Sequence, residues 1–584
     1  MKKNNNENKK NSPSSRRSFL GRVSGVTAAS LATVLVKPTL AQTEKAMVPA
    51  NAARTELDFS RALKAYQCRL NAANMALQRP AIDQLGNGDD ERYPNKIGSY
   101  SKALPHNQLG EVELNAYATL VKARTTQNPA DFEAIQLGLG RKLTSPQAGL
   151  AMDLEGPDSQ HVTMPPAPRF DSAEEAGEMV EIYWMALARD VNFNDYGSSP
   201  IIEAAAADLS RLSDFRGPRE GTRGIRRTQL EATDIGADPR ASEARTVSRR
   251  SNGQVTANTI FRNSTIGDLT GPWLSQFLTL DFSFGANTVS QKMKTVPAGL
   301  DYMTKYQDWL DVQNGADPGN NIVYDPTARY IRNLRDVAEW VHVDALYQAY
   351  LHACLIMLQQ GTRLDSGLPM YNSKVQAGFA QCGGPHILSL VTEVATRALK
   401  AVWYQKWFVQ NRLRPEAFGG RIHNHMTAAA QYPIHSDVLN SRAVAEIARK
   451  NGNFLLPMVF PEGSPTHSAY GSGHATVAGA CVTVLKAFFD ETDVVKNPMI
   501  VNASGTGLVP YVGSPLTIGG ELNKVASNVA NARNGAGVHW RTDAVNSLKL
   551  GEAVTIGILE EQKLTYNDNV QMTLTKFDGT KITI

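Results

Sequence analysis

Three short stretches in the C-terminal third of the chain carry residue types that together suit one tetrahedral oxyanion. They read Lys406-x7-Arg414-Pro415, His467-Ser-Ala-Tyr-Gly-Ser472-Gly473-His474 and Arg533-x5-His539-x3-Asp543. A multiply charged oxyanion needs fixed cationic forks, an ammonium group and backbone or hydroxyl donors, because charge-assisted hydrogen bonds are the strong ones. Histidines set among such cations need a second explanation. One can attack or coordinate the central atom while another moves protons.

Each stretch falls where a helix starts or stops. Lys406 is expected near the end of a helix carrying Trp403, Tyr404, Trp407 and Phe408. Pro415 forces Arg414 out of the helical conformation into an extended turn, so the two cations can converge at a helix terminus. Alone, such a pair more often just complements the last carbonyls of a helix. Gly471-Ser472-Gly473 precedes an apolar helix from Ala475, which puts unhindered amides and a hydroxyl at a helix N-terminus, a ready anion site. A bare Gly-Ser-Gly is more often a simple cap. His467 follows Pro465 in the same loop and can face the space that His474 faces. Arg533 closes one helix, Gly535-Ala-Gly537 links, and His539 opens the next. Asp543 lies one helical turn on, where it can accept a hydrogen bond from one ring nitrogen and leave the other free as ligand or nucleophile.

Apolar residues at three- and four-residue spacing predict helices over 56–78, 173–190, 327–360, 384–411, 436–450, 475–489, 522–532 and 542–561. The two longest are expected to pair as central helices of a bundle. Alternation around Asp578-Gly579 predicts a hairpin over 572–584. The fold class is therefore mainly α, one large helical domain with minor strand content. The stretch 213–254, with ten arginines between Arg211 and Arg250, reads as a solvated or subunit-bridging surface loop, since acids are interspersed. His423, His425 and His435 could form a metal site, but helix-packing roles are commoner.

Of the 584 residues 42% are hydrophobic and 20% charged, enough for a large core. The formal charge of +4 comes from the N-terminus, where residues 1–41 hold eight Lys and Arg against Glu7. Without them, 52 of the 60 basic and 55 of the 56 acidic residues remain, a net −3 that argues for neither nucleic-acid nor membrane partners. Ser15-Arg16-Arg17-Ser18-Phe19-Leu20, a short apolar run and Thr39-Leu40-Ala41 read as a twin-arginine export signal over 1–41, ahead of one helical domain over 42–584. A periplasmic or extracellular protein, without stable membrane insertion, is expected. Cys68, Cys354, Cys382 and Cys481 are too few and too apolar in setting to argue for disulfides.

The three stretches resemble the active-site signature of the vanadium-dependent haloperoxidases, a pocket shared with the phosphatidic-acid-phosphatase type of acid phosphatases. Asn87-Gly-Asp-Asp-Glu-Arg-Tyr-Pro94, Leu104-Pro-His-Asn107, Glu178-Met-Val-Glu-Ile-Tyr-Trp-Met-Ala-Leu-Ala-Arg189, Tyr330-Ile-Arg332 and Val341-His-Val-Asp-Ala-Leu-Tyr347 are similar to the algal and cyanobacterial bromoperoxidase branch, over nearly the whole mature chain. The resemblance implies the haloperoxidase type of helical bundle, with the pocket drawn from residues 400–545. It implies a vanadium bond from His539, oxyanion contacts from Lys406, Arg414, Arg533, Ser472 and the Gly473 amide, and acid–base work by His474. His467 would stand behind these, Asp543 would orient the pocket, and Lys406 would polarise the oxidant. The implied reaction is oxidation of halide, bromide above all with iodide and chloride as further candidates, by hydrogen peroxide, with halogenation of small organic substrates. A homo-oligomer of two or more chains is implied, and a structural calcium in the loop 361–367 around Asp365. Gly471 stands where the family usually has proline, and is expected to loosen the loop. Gln405 stands where algal members often have arginine, and is expected to change charge beside the halide approach. Two rival readings are an acid phosphatase, with His539 attacking phosphorus, and a non-catalytic phosphate-binding or shell protein.

Overall fold

The computed structural model describes residues 56–221, 253–319 and 322–584. Helix α1, Glu56–Gln78, opens the described chain. The chain divides into two units, Met1–Asn71 and Ala72–Ile584, and everything below concerns the second. The export signal and most of the arginine-rich stretch lie outside the described residues.

The second unit is helical, with α2 (Leu114–Thr126), α3 (Ala173–Ala188), α4 (Pro200–Arg211), α5 (Tyr306–Gln313), α6 (Leu334–Val343), α7 (Gln348–Gln360), α8 (Gly384–Tyr404), α9 (Pro415–Met426), α10 (Arg442–Asn451), α11 (Gly473–Phe488), α12 (Ile518–Gly535) and α13 (Arg541–Lys563). Among the described residues strands appear only as two-stranded antiparallel hairpins: β1–β2 (Phe282–Phe284, Asn287–Val289), β3–β4 (Met499–Val501, Leu508–Pro510) and β5–β6 (Thr573–Thr575, Lys581–Thr583). The last is the hairpin expected around Asp578-Gly579, with Gly579 at φ 84° in the turn. Among the described residues no single helix is long and apolar enough to cross a membrane.

The centre is α11. It is apolar on every side, so it is stable only when surrounded, and α8, α12, α13 and α7 pack around it. Glycines set the closest crossing: a Cβ at Gly479 would lie 2.0 Å from the Leu548 carbonyl oxygen, and one at Gly551 would lie 1.9 Å from that of Thr476. Helix α12 is buried throughout yet polar. Its Asn523 and Asn528 donate to the carbonyls of Ile266 and Trp273, at 2.9 and 3.0 Å, and so tie an irregular segment to the core.

The expected central pair, 327–360 against 384–411, is corrected. Apolar periodicity runs across 327–360, but the backbone turns extended at Asp344 and the run is two helices, α6 and α7, bent by 101°. Residues 327–333 are not helical, and Asn333 caps α6 by accepting from the Asp336 amide at 3.0 Å. The run 436–450 likewise breaks at Ser441, which caps α10. Helices α2, α4, α5 and α9, short or glycine-containing, were not anticipated from periodicity.

Candidate active site

Lys406 lies in a wider π-helical turn, Gln405–Gln410, that prolongs α8. Arg414 is the N-cap residue of α9, in the extended conformation (φ −87°, ψ 154°) that the following proline imposes. Ser472 caps α11, its hydroxyl accepting from the Ala475 amide at 3.3 Å. Arg533 sits in the last turn of α12, and His539 just before α13. The termini of α8, α9, α11, α12 and α13 thus meet.

Arg414 joins the stretches. Its guanidinium donates to the His467 carbonyl (2.9 Å), to His467 Nδ1 (2.9 Å), to the Val538 carbonyl (2.8 Å) and to His539 Nε2 (3.0 Å). Lys406 Nζ donates to the carbonyls of Ser468 and Ala469 at 2.8 and 3.0 Å. Arg533 donates to the Val341 carbonyl at 2.8 Å, and its Nε has no hydrogen-bond partner among the described residues. All three cations are buried. Among the described residues, their hydrogen-bond partners are carbonyls and imidazole nitrogens, not carboxylates. Burial, then the Arg414 and Arg533 charges, drive the Lys406 ammonium well below its usual range, although Asp543 opposes this. Burial lowers Arg414 and Arg533 to about 10. Uncompensated buried cations are costly, so this cluster is built to receive negative charge.

His539 Nδ1 donates to Asp543 Oδ2 at 2.7 Å, which fixes the tautomer and leaves the Nε2 lone pair on the cationic side. Burial, then Arg414 and Lys406, hold the ring well below its usual range and hence neutral. Burial lifts Asp543 to about 6 against the pull of Arg412. Arg412 Nη1 donates to Asp543 Oδ1 (2.9 Å), its Nη2 pairs with Glu178 (2.8 Å) and Glu175, and its guanidinium lies 4.5 Å from the Trp540 ring centre. Glu178 also accepts from the Thr542 amide at 2.8 Å.

His474 Nε2 lies 3.0 Å from Asp344 Oδ1. Burial lowers the His474 pKa, and the Asp344 carboxylate partly restores it. His467 is lowered well below its usual range by burial and by the Lys406 and Arg414 charges, and its ring lies tilted 4.8 Å from Trp403. Gly473 is closed over by Trp403, whose Cζ3 would lie 3.1 Å from a Cβ.

The space beside Gly471 is closed to a side chain. A Cβ there would lie 2.3 Å from Ser547 Oγ and 2.8 Å from Met164 Cε, and that same Ser547 hydroxyl accepts from the Ser472 amide at 2.8 Å. Gln405 is fully buried and donates to Gln84 at 2.7 Å. His423 is tilted against Tyr306 and accepts from the Phe454 amide, His425 accepts from the Tyr432 amide, and His435 accepts from that of Asp437. Among the described residues no group of three or more His, Cys, Asp or Glu side chains is arranged to hold a metal ion. This includes the loop around Asp365, whose carboxylate accepts from the Gly367 amide at 2.9 Å. Cys354, Cys382 and Cys481 are buried thiols.

Reading the sequence missed Asp344, Arg412, Glu175 and Glu178 as parts of this assembly. A signal existed for the glutamates: Glu175, Glu178 and Glu181 recur at three-residue spacing on an otherwise apolar helix, where acids are rare unless paired.

The cradle suits a tetrahedral oxyanion such as vanadate. It offers three buried cations without carboxylate partners, an Arg533 Nε–H without a partner among the described residues, a capping hydroxyl, and a neutral imidazole whose Nε2 accepts from Arg414.

A family model described as the VCPO second helical-bundle domain matches residues 388–567. A vanadium-dependent bromoperoxidase of Corallina pilulifera is 38% identical, over 90% of this chain and 98% of its own length. One of Ascophyllum nodosum is 33% identical, over 88% and 91%. The structure of a second vanadate-dependent bromoperoxidase of A. nodosum, a homohexamer, matches with a TM-score of 0.81 and 29% identity over 92% of this chain and 93% of that one.

Proposed function

Because the chain belongs to the vanadium-dependent bromoperoxidases, an enzyme family that oxidises halide with hydrogen peroxide on a vanadate cofactor, we propose which of its residues carry each part of that work. Lys406, Arg414 and Arg533 would hold the vanadate charge, with the Ser472 hydroxyl and the Gly473 amide as further donors. His539 would supply the bond to vanadium through Nε2, its tautomer fixed by Asp543.

When bound, vanadate supplies a Lewis-acidic centre that activates hydrogen peroxide toward halide without a change in its own oxidation state. The three cations stabilise negative charge in a water-poor site, where fixed donors act most strongly. Lys406 gains most, since an anion beside it restores the charge that burial and the two guanidinium groups suppress. His474 exchanges protons at Nδ1, because Asp344 engages Nε2. His467 stays neutral and braces Arg414.

The observation that carries this reading is the set of three buried cations whose own partners are carbonyls and imidazoles. Bromination of phenol red, with peroxide and bromide, tests it before and after reconstitution with orthovanadate. Activity that appears only with vanadate and is lost in His539→Ala supports these roles. Phosphate-ester hydrolysis without bromination would assign the same cradle to a phosphatase.

The twin-arginine pattern over 1–41 supports export to the periplasm or beyond, which would keep a strong oxidant away from cytoplasmic thiols and methionines. The homohexameric relative supports assembly into an oligomer. Size-exclusion chromatography with light scattering, on protein recovered from the periplasm, tests both: cytoplasmic retention sinks the first and a monomer sinks the second.

A further inference from the structure

We propose that His342 is a positioning residue for Arg533: it staples the end of α6 to the loop 460–462, the two elements that aim the Arg533 guanidinium. Arg533 touches one thing from each. From α6 it takes the Val341 carbonyl, at 2.8 Å, and from the loop it takes the Phe460 ring, 5.5 Å from the guanidinium carbon to the ring centre. His342 is the residue after Val341 and stacks on the same Phe460 ring, with centroids 3.8 Å apart and planes at 10°. Its Nε2 lies 2.7 Å from Glu462 Oε1, and its Nδ1 lies 3.4 Å from Glu339 Oε2.

Several other groups face this staple. Tyr324 donates to Glu339 at 2.7 Å, and Arg141 and Lys102 donate to the Glu462 carbonyl at 3.2 and 2.8 Å. Tyr302 feels both glutamates, and Arg533 lies across the shared ring. Burial disfavours the His342 charge, but the nearby Glu339 and Glu462 carboxylates outweigh it and keep the ring protonated up to about 9. Losing that proton loosens the staple. It also leaves two carboxylates uncompensated beside the outer contacts of Arg533, drawing the guanidinium away from an oxyanion.

The inference rests on the reading above that Arg533 holds the oxyanion. The test is calorimetric binding of molybdate, a tetrahedral dianion throughout, by the full vanadate-free chain between about pH 7 and 10. His342→Gln should bind roughly ten-fold more weakly than wild type at the lower pH, the usual size of an outer contact's effect. The gap should close at the upper pH, where wild type has also lost the charge. Equal affinity at the lower pH, or a gap that persists unchanged, overturns the proposal. Arg533→Met separates the two claims. If it binds like wild type, the oxyanion reading fails; if it weakens while His342→Gln does not, only the role of His342 fails. Should His342→Gln not fold, Glu462→Gln decides by the same comparison: a ten-fold loss at the lower pH supports the staple, and wild-type affinity overturns it.

Discussion

Asp344 reaches His474 Nε2 at 3.0 Å from the bend that interrupts α6 and α7. The break in an otherwise continuous apolar run thus presents a carboxylate to His474, as Asp543 presents one to His539. An uninterrupted helix would have kept residue 344 on its own surface.

Asp344→Asn should therefore keep the fold and slow halide oxidation by up to about a hundred-fold, the lower end of what a general acid–base group contributes. The carboxylate raises the His474 pKa, so its removal should shift the activity limb set by His474 to lower pH. A pH profile of kcat checks this, and an unmoved limb would separate Asp344 from the proton step.

Asp543→Asn should weaken vanadate binding by roughly ten- to a hundred-fold, because the neutral amide no longer fixes the Nδ1–H tautomer of His539 as a carboxylate does. Titrating the vanadate-free protein with vanadate, followed by 51V NMR, reads the affinity directly.

Arg412→Met should cost stability rather than binding alone. Glu175, Glu178 and Asp543 would share a buried site without their cation, at a penalty of about 3–5 kcal/mol. Urea unfolding measures the loss. A variant as stable as wild type would mean that the carboxylates take up protons without cost.

Gly551→Val should lower stability by about 1–3 kcal/mol or more, since its Cβ must displace α11 backbone at Thr476 and the helix crossing opens. Thermal unfolding checks it, with Gly197→Ala as a comparison at a position with open space around it and no positive φ.

Stability itself should fall in mild alkali. The folded His342 pKa, about 9, stands above the ordinary 6.5. The associated stability is therefore fully present below about pH 6.5 and is lost as pH rises through 9. A change of up to ~3 kcal/mol across that window is expected, and His342→Gln should flatten it. Unfolding midpoints at several pH values test the sign as well as the size.

Much was legible because it is local. Proline at 415 dictates an extended Arg414, glycines and serine before Ala475 dictate a capped helix start, and His539 and Asp543 one turn apart dictate their contact. Apolar spacing marked α8, α11, α12 and α13, the helices that carry most of the cradle. What periodicity could not supply was the position of a break, because a 101° bend leaves the spacing of apolar residues on either side unchanged.

The sequence by itself determined the oxyanion chemistry, the helical class and the order of the three stretches, since residue type and short-range spacing fix charge, capping and hydrogen-bond reach. Only the tertiary structure decided which carboxylates serve which cations. Arg412 takes Glu175 and Glu178 from a helix more than 230 positions earlier, while Arg414, two residues on, meets only carbonyls and imidazoles. Residues two apart on an extended chain share a face, so spacing alone does not separate them: helix packing brings the α3 glutamates to Arg412, while Arg414, already capping α9, meets the loop of His467 and the turn before α13.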